Sequence, residues 1–344
     1  MAVELVSRGA QDVYLTGNPE VSFFRQNYKR YTNCAQRNVK LDFIGAMTAS
    51  SEVYVKIPNK GDLLSYIWLD LGSGIATGSG LNCHDETNSA TIELWIGGQL
   101  VDRQDAFFMA RHWNKYLADC GSKPAAASNS STVTTSNWFP LHFFFCDSMA
   151  LPLVSLQYHE VEVRIKFANS NPSTVKFYAN YIMLDTDERA AFVNMDHEIL
   201  IEQMQKIGYS GNKFDLSLFN HPVKSLHWSN VSAGVVITDG IQLYLNGTET
   251  FNTEMPNKFF NQVQGYYHSE FWNEELTKQD SQLYMYSFAL KASKHQPCGT
   301  CNFSRIDTGA LNISCTGGTL SYLYAVNFNI LRIKKGLAGL AFSN

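Results

Sequence analysis

Residues 158–167 alternate: Val161, Val163, Ile165 and Phe167 are apolar, while Glu160, Glu162, Arg164 and Lys166 between them are charged. A period of two buries one face of a strand and wets the other, as in an antiparallel sheet. Stretches rich in Val, Ile, Tyr, Phe and Trp recur at 52–57, 63–71, 91–96, 141–146, 175–184, 231–237, 240–245, 282–290 and 320–333, each bounded by Gly, Asn, Ser or Pro. Helical signal is scarce. Residues 102–119, 187–194 and 257–271 carry the best of it and read as short helices between strands.

The strand pattern repeats once. Ile92-Glu-Leu-Trp-Ile-Gly-Gly98 followed by Ala106-Phe-Phe108 is echoed by Ile241-Gln-Leu-Tyr-Leu-Asn-Gly247 followed by Lys258-Phe-Phe260. A second echo sets Tyr181-Ile-Met-Leu184 and Ala190-Ala-Phe192 against Phe328-Asn-Ile-Leu331 and Leu340-Ala-Phe342. The first echo is offset by 149 residues, far too long for a solenoid repeat. It predicts an all-β chain of two tandem eight-stranded antiparallel sandwiches with short helices in the loops. The boundary falls near Asp196, where Glu198-Ile-Leu-Ile-Glu-Gln203 opens the second copy. Residues 118–138 and 72–89, rich in small and polar side chains, read as exposed excursions with nothing to pack.

Composition narrows the function. The 344 residues suit two domains; 45% are hydrophobic, 13% aromatic and only 17% charged, against a typical ~25%. Few charges with many aromatics suit large buried or protein-facing surfaces. A net charge of −4 argues against a dedicated, sequence-specific nucleic-acid binder. No apolar run approaches the ~20 residues of a membrane span. The first residues show no secretory signal as usually built, and seven scattered cysteines then read as reduced thiols in a cytosol-like compartment.

Catalytic and metal chemistry finds little support, and no cofactor is expected. None of the nine His stands in an H-x-H pair of the kind a cupin-type metal site needs, and Cys83-His84-Asp85-Glu86 reads as a solvated loop. Cys298-Gly-Thr-Cys301, with His295 and Cys315, offers four zinc ligands in principle. Structural zinc sites usually pair two such knuckles, so ordinary thiols are the preferred reading. Glu160 and Glu162 lie on the wet face of one strand, where solvation explains them better than glycoside cleavage. No nucleophile elbow, P-loop or dinucleotide fingerprint occurs. The most unusual charge segment is residues 21–41: Arg25, Lys29, Arg30, Arg37 and Lys40 with no acid, interleaved with Phe23, Phe24, Tyr28 and Tyr31. Such a segment can meet phosphates, a membrane surface or an acidic protein.

Three blocks carry a family likeness. Gly9-Ala-Gln-Asp-Val-Tyr-Leu-Thr-Gly-Asn-Pro19 with Phe23-Phe24 and Tyr28-Lys-Arg-Tyr-Thr-Asn33 closely resembles the opening of the major capsid proteins of nucleocytoplasmic large DNA viruses. So do Leu151-Pro-Leu-Val-Ser-Leu-Gln-Tyr-His-Glu-Val161 and His295-Gln-Pro-Cys-Gly-Thr-Cys-Asn-Phe-Ser-Arg-Ile-Asp307, in the same order along the chain. The departure is Cys298, where a small residue such as Ser is expected. The resemblance implies an N-terminal arm over 1–18 and jelly rolls over 19–195 and 196–344. It also implies a non-enzymatic homotrimeric capsomer in an icosahedral virion shell assembled in the host cytoplasm. The expected partners are neighbouring capsomers, minor capsid proteins and an internal viral membrane, with Arg25, Lys29, Arg30, Arg37 and Lys40 as candidate inner-face contacts. The chain is compact for the family, which implies shorter outward loops. A minor capsid or penton component and a carbohydrate-binding double sandwich are the alternative readings.

Overall fold

The computed structural model describes residues 4–25, 28–72, 80–118, 138–146, 149–169, 175–231, 235–238, 240–251, 255–270 and 282–342. The unit Met1–Asn33 holds a 3-10 turn at Glu4–Val6 and one helical turn at Val13–Thr16. Its Tyr14, Leu15, Phe23, Phe24, Tyr28 and Tyr31 side chains are exposed.

In the unit Cys34–Asn344 the first half contains β1 (Cys34–Leu41), β2 (Glu52–Ile57), β3 (Leu63–Asp70), β4 (Thr91–Ile96), β5 (Gln99–Asp105), β6 (Trp138–Pro140), β7 (Leu151–Pro152), β8 (Val161–Lys166) and β9 (Lys176–Leu184). One sheet runs β1-β9-β3-β6, with β7 also paired to β3; the other runs β2-β8-β4-β5. The second half contains β10 (His197–Gly208), β11 (Lys213–Asp215), β12 (Pro222–Ser229), β13 (Val236–Ile237), β14 (Gln242–Leu245), β15 (Thr248–Phe251), β16 (Leu283–Ser287), β17 (Cys301–Asn302), β18 (Gly309–Asn312), β19 (Cys315–Thr316), β20 (Tyr322–Lys334) and β21 (Leu337–Leu340). Its sheets run β10-β20-β12-β16, with β17 on β12 and β21 on β20, and β11-β18-β14-β15; β13 pairs with β19.

The two halves thus share one lane order. They also share their irregularities. The β4/β5 ladder shifts register between Leu94 and Trp95, and the β14/β15 ladder shifts between Leu243 and Tyr244, the same place in the repeat. The β3/β9 and β12/β20 ladders each carry a shift as well. Both Phe-Phe pairs open π-helical segments, Phe108–Leu117 and Phe259–Val263.

Alternation builds the cores. Val53, Val55 and Ile57 point inward from β2 against Val161, Val163 and Ile165 of β8, and their neighbours face water. Trp228, Phe260, Leu243 and Leu311 fill the second core. The long strands β10 and β20 serve both: Ile199, Ile201, Leu331 and Ile333 join the first core, Ile207 and Leu323 the second. A third cluster lies between the sandwiches, where Phe108, Trp113 and Tyr116 of the first half pack on Met204, Met285 and Tyr324 of the second.

Several expectations need correction. Residues 141–146 are not a strand; Phe143, Phe144 and Phe145 are all buried around a turn, a pattern that no alternating strand allows. Residues 102–105 belong to β5 rather than a helix; Asp102 and Asp105 face the second sandwich, while Arg103 between them stays exposed and pairs with Glu93. β12 escaped notice because it is buried throughout, yet carries Lys224, Ser225, His227 and Ser229. The strands of the second echo are equivalent lanes, but out of phase: Tyr181 faces its core, whereas Phe328 lies on the opposite side from the core-facing Leu323 and Ala325. Ala190–Phe192 is helical while Leu340 ends a strand, so that part of the echo is coincidental. Residues 80–89 are not a bare excursion, because Leu81 and Cys83 join the first core. The remainder of that segment, 73–79, and residues 119–137 lie outside the described residues.

Candidate assembly surfaces

The five basic residues fall into two groups. Arg25, Lys29 and Arg30 belong to the N-terminal unit, in turn and irregular backbone, and are exposed. Arg37 and Lys40 sit on the edge strand β1, opposite Tyr181 and Tyr178 of β9. Three positions apart on a strand, they project from opposite faces. Lys40 Nζ lies 3.6 Å from the Asp42 carboxylate, both well exposed, so the acid-free run ends just beyond the strand.

The other candidate groups are occupied locally. Cys298 Sγ lies 3.2 Å from the Lys291 carbonyl, and Cys315 Sγ 3.3 Å from that of Gly318. His295 Nε2 lies 3.0 Å from the Leu200 carbonyl. Glu160 and Glu162 share Lys56, at 2.6 and 3.9 Å. Within 83–86, Cys83 and Glu86 are buried rather than solvated while Asp85 stays exposed, and the Glu86 carboxylate accepts from Ser229 Oγ at 2.8 Å across the two halves.

That contact is part of a polar seam that sequence reasoning missed. β5 lies along β10, and the two exchange side-chain contacts instead of a ladder. Lys206 Nζ pairs with Asp105, Met204 N–H donates to Asp102 Oδ1 at 3.0 Å, and Gln203 Nε2 donates to the Val101 carbonyl. Beside it, Tyr116 OH lies 2.7 Å from the Leu283 carbonyl and Ser269 Oγ donates to the Tyr116 carbonyl at 2.7 Å. Burial pushes Glu86 up to about 7 despite Ser229, and Asp102 up to about 7 despite Gln104. Burial pushes His227 down to about 3, helped by Lys224. Burial also pulls Glu202 upward, but Lys224 at 2.5 Å and His295 outweigh it and hold the carboxyl low. An open groove of about 1040 Å³ runs along the seam, with Arg103, Arg164 and Lys206 facing Glu52, Glu93 and Asp105. Such mixed charge suits a protein surface better than one small ligand. Among the described residues no three His, Cys, Asp or Glu are grouped to hold a metal.

Paired antiparallel sheets in one repeated lane order define a double jelly roll, the fold class of icosahedral capsid proteins with similar structures. The family model described as the major capsid protein N-terminus matches residues 22–185, and that of the large eukaryotic DNA virus major capsid protein matches 229–339. The major capsid protein of Pyramimonas orientalis virus is 35% identical over 99% of each chain, and that of Paramecium bursaria Chlorella virus 1 is 30% identical over 99% of each. In structure, the chain resembles the subunit of the PBCV-1 virus capsid with a TM-score of 0.76 at 26% identity, covering 94% of this chain and all of that one. The Faustovirus major capsid protein shares the fold, with a TM-score of 0.68 at 12% identity over 95% of each chain. The chain belongs to the major capsid protein family of large eukaryotic DNA viruses, and its role is to build the capsid.

Proposed function

We propose that three copies of this chain form a pseudo-hexagonal capsomer that tiles an icosahedral shell, with no catalytic step. The observation that carries the reading is the repetition of lane order and ladder bulges within one chain: three copies supply six similar lobes. The arm at 1–18, the first jelly roll at 19–195 and the second at 196–344 belong to the same reading; the break between helix Thr186–Asn194 and β10 supports the division of the two rolls, whereas the first sheet begins only at Cys34. Assembly in the host cytoplasm and contacts with neighbouring capsomers and minor capsid proteins belong to the same reading. Native mass spectrometry tests it: a trimer is expected at micromolar concentration, and a stable monomer or dimer overturns it.

Arg25, Lys29 and Arg30, exposed within the stretch 21–41 that carries no acid in its sequence, suit an anionic membrane or acidic minor protein on the inner face. Lys29→Glu with Arg30→Glu is expected to leave trimers intact while shells assemble poorly or lose minor proteins. Normal particles from this variant overturn the inner-face role.

A further inference from the structure

A second pocket, of about 380 Å³, lies between the two sandwiches. Its size falls at the low end of the ~300–1,000 Å³ typical of small-molecule sites. The first sandwich lends Phe108, Trp113, Phe143 and Phe144 to the wall, and the second lends Met204 and Val326. Aromatic walls favour a flat apolar body, and a methionine sulfur is well placed against a ring edge. Trp113 is itself held by His142: the two rings stack with centroids 3.4 Å apart and planes 12° from parallel.

One polar group in this wall is incomplete. Gln104, only 7% exposed, donates its amide nitrogen to Asp102 Oδ2 at 2.6 Å and to the His142 carbonyl at 2.8 Å. A backbone carbonyl only accepts, which fixes the orientation of the amide. Gln104 Oε1 is therefore left buried at the pocket with no hydrogen-bond partner among the described residues. A buried acceptor without a donor is destabilising, and a ligand that brings the donor removes that cost. Charge around the pocket is already balanced, Glu202 by Lys224 and Glu270 by Lys294 at 3.5 Å. A charged ligand would add a charge with no counter-ion; an uncharged one would not.

We propose that this pocket binds a small uncharged aromatic molecule whose N–H or O–H donates to Gln104 Oε1 while its ring packs on the aromatic wall. Because the wall is drawn from both sandwiches, the occupied pocket joins them, and a ligand that needs the folded junction stabilises it by mass action. The site lies within one chain and does not depend on the trimeric reading.

The test uses indole as the probe and 1-methylindole, nearly the same body without the donor, as its control. Calorimetric titration of the full-length protein is expected to show indole filling one site per chain. The control is expected to bind about tenfold more weakly, for want of the hydrogen bond. Gln104→Met keeps the side-chain length and removes the acceptor, and is expected to erase the preference between the two probes. Gln296 lines the pocket from an exposed position, so Gln296→Trp fills the space without disturbing a core. That variant is expected to unfold at the wild-type temperature without ligand, and to lose both indole binding and the rise in unfolding temperature that indole gives the wild type. No indole binding to the wild type overturns the proposal. Equal affinity for the two probes, or indole binding that persists in Gln296→Trp, overturns it as well.

Discussion

Lys206 joins the two sandwiches by pairing with Asp105, and its ammonium lies 3.7 Å from the centroid of the Tyr322 ring. Asp105 is only 5% exposed and Lys206 29%, so the acid depends on its partner far more than the base does. Lys206→Met is expected to cost about 2 kcal/mol, below the ~3–5 kcal/mol of fully buried pairs because the lysine is partly in water. Adding Asp105→Asn is expected to restore part of that loss, because the uncompensated charge is then gone. Chemical denaturation of the two variants checks the order. A double variant less stable than Lys206→Met contradicts it.

Glu86 and Asp102 give the seam a pH dependence. Both are raised by burial to about 7 from ordinary values of 4.5 and 3.8. The folded protein therefore holds these protons more tightly than the unfolded chain does. Their contribution is fully present below about pH 4 and lost as the pH climbs through about 7. Thermal stability is expected to decline between pH 5 and pH 8 (roughly the upper part of that window), and Glu86→Gln with Asp102→Asn is expected to flatten the decline. A profile that keeps its slope in the double variant assigns the effect to other groups. Below that window Glu202 and Asp215, held low by Lys224 and by Ser217 respectively, work in the opposite sense.

Much of the fold was legible because water enforces alternation on one-sided sheets. β2 and β4 have the expected limits, since each shows water one face and the core the other. Legibility fails where a second sandwich replaces water. β12 has a core on one side and Phe108 near His227 on the other, so its polar residues look like loop while being buried. Asp102 and Asp105 look like helix surface for the same reason. The basic segment was visible from charge alone, but its division was not: Arg37 and Lys40 belong to a strand that pairs with β9 along its whole length, while Arg25, Lys29 and Arg30 precede it. The seam itself needed Lys206 and Asp105 to be recognised as neighbours across 101 residues, which no local pattern encodes.

The turn between β4 and β5 separates backbone strain from crowding. Gly97 and Gly98 have φ of +58° and +79°, and Asn246 and Gly247 repeat this at 50° and 78° between β14 and β15. Asn therefore serves at the first turn position in the second half, as this hairpin turn type allows. The first half differs in its surroundings. A Cβ at Gly97 would overlap the His159 ring at Nδ1, whereas one at Gly98 meets nothing within 4 Å. His159 Nδ1 in turn accepts from the Ala338 N–H at 3.0 Å, and Ala338 closes the first core from β21. Gly97→Asn, compatible with the backbone, is thus expected to displace His159, free β21 and cost about 2 kcal/mol or more. Gly98→Ala is expected to cost only the left-handed backbone penalty of about 1 kcal/mol. Thermal unfolding gives the ranking, and hydrogen exchange at Leu337–Leu340 locates the damage. His159→Ala combined with Gly97→Asn decides the cause: recovery relative to Gly97→Asn alone identifies crowding, and further loss shows that the turn conformation carries the cost.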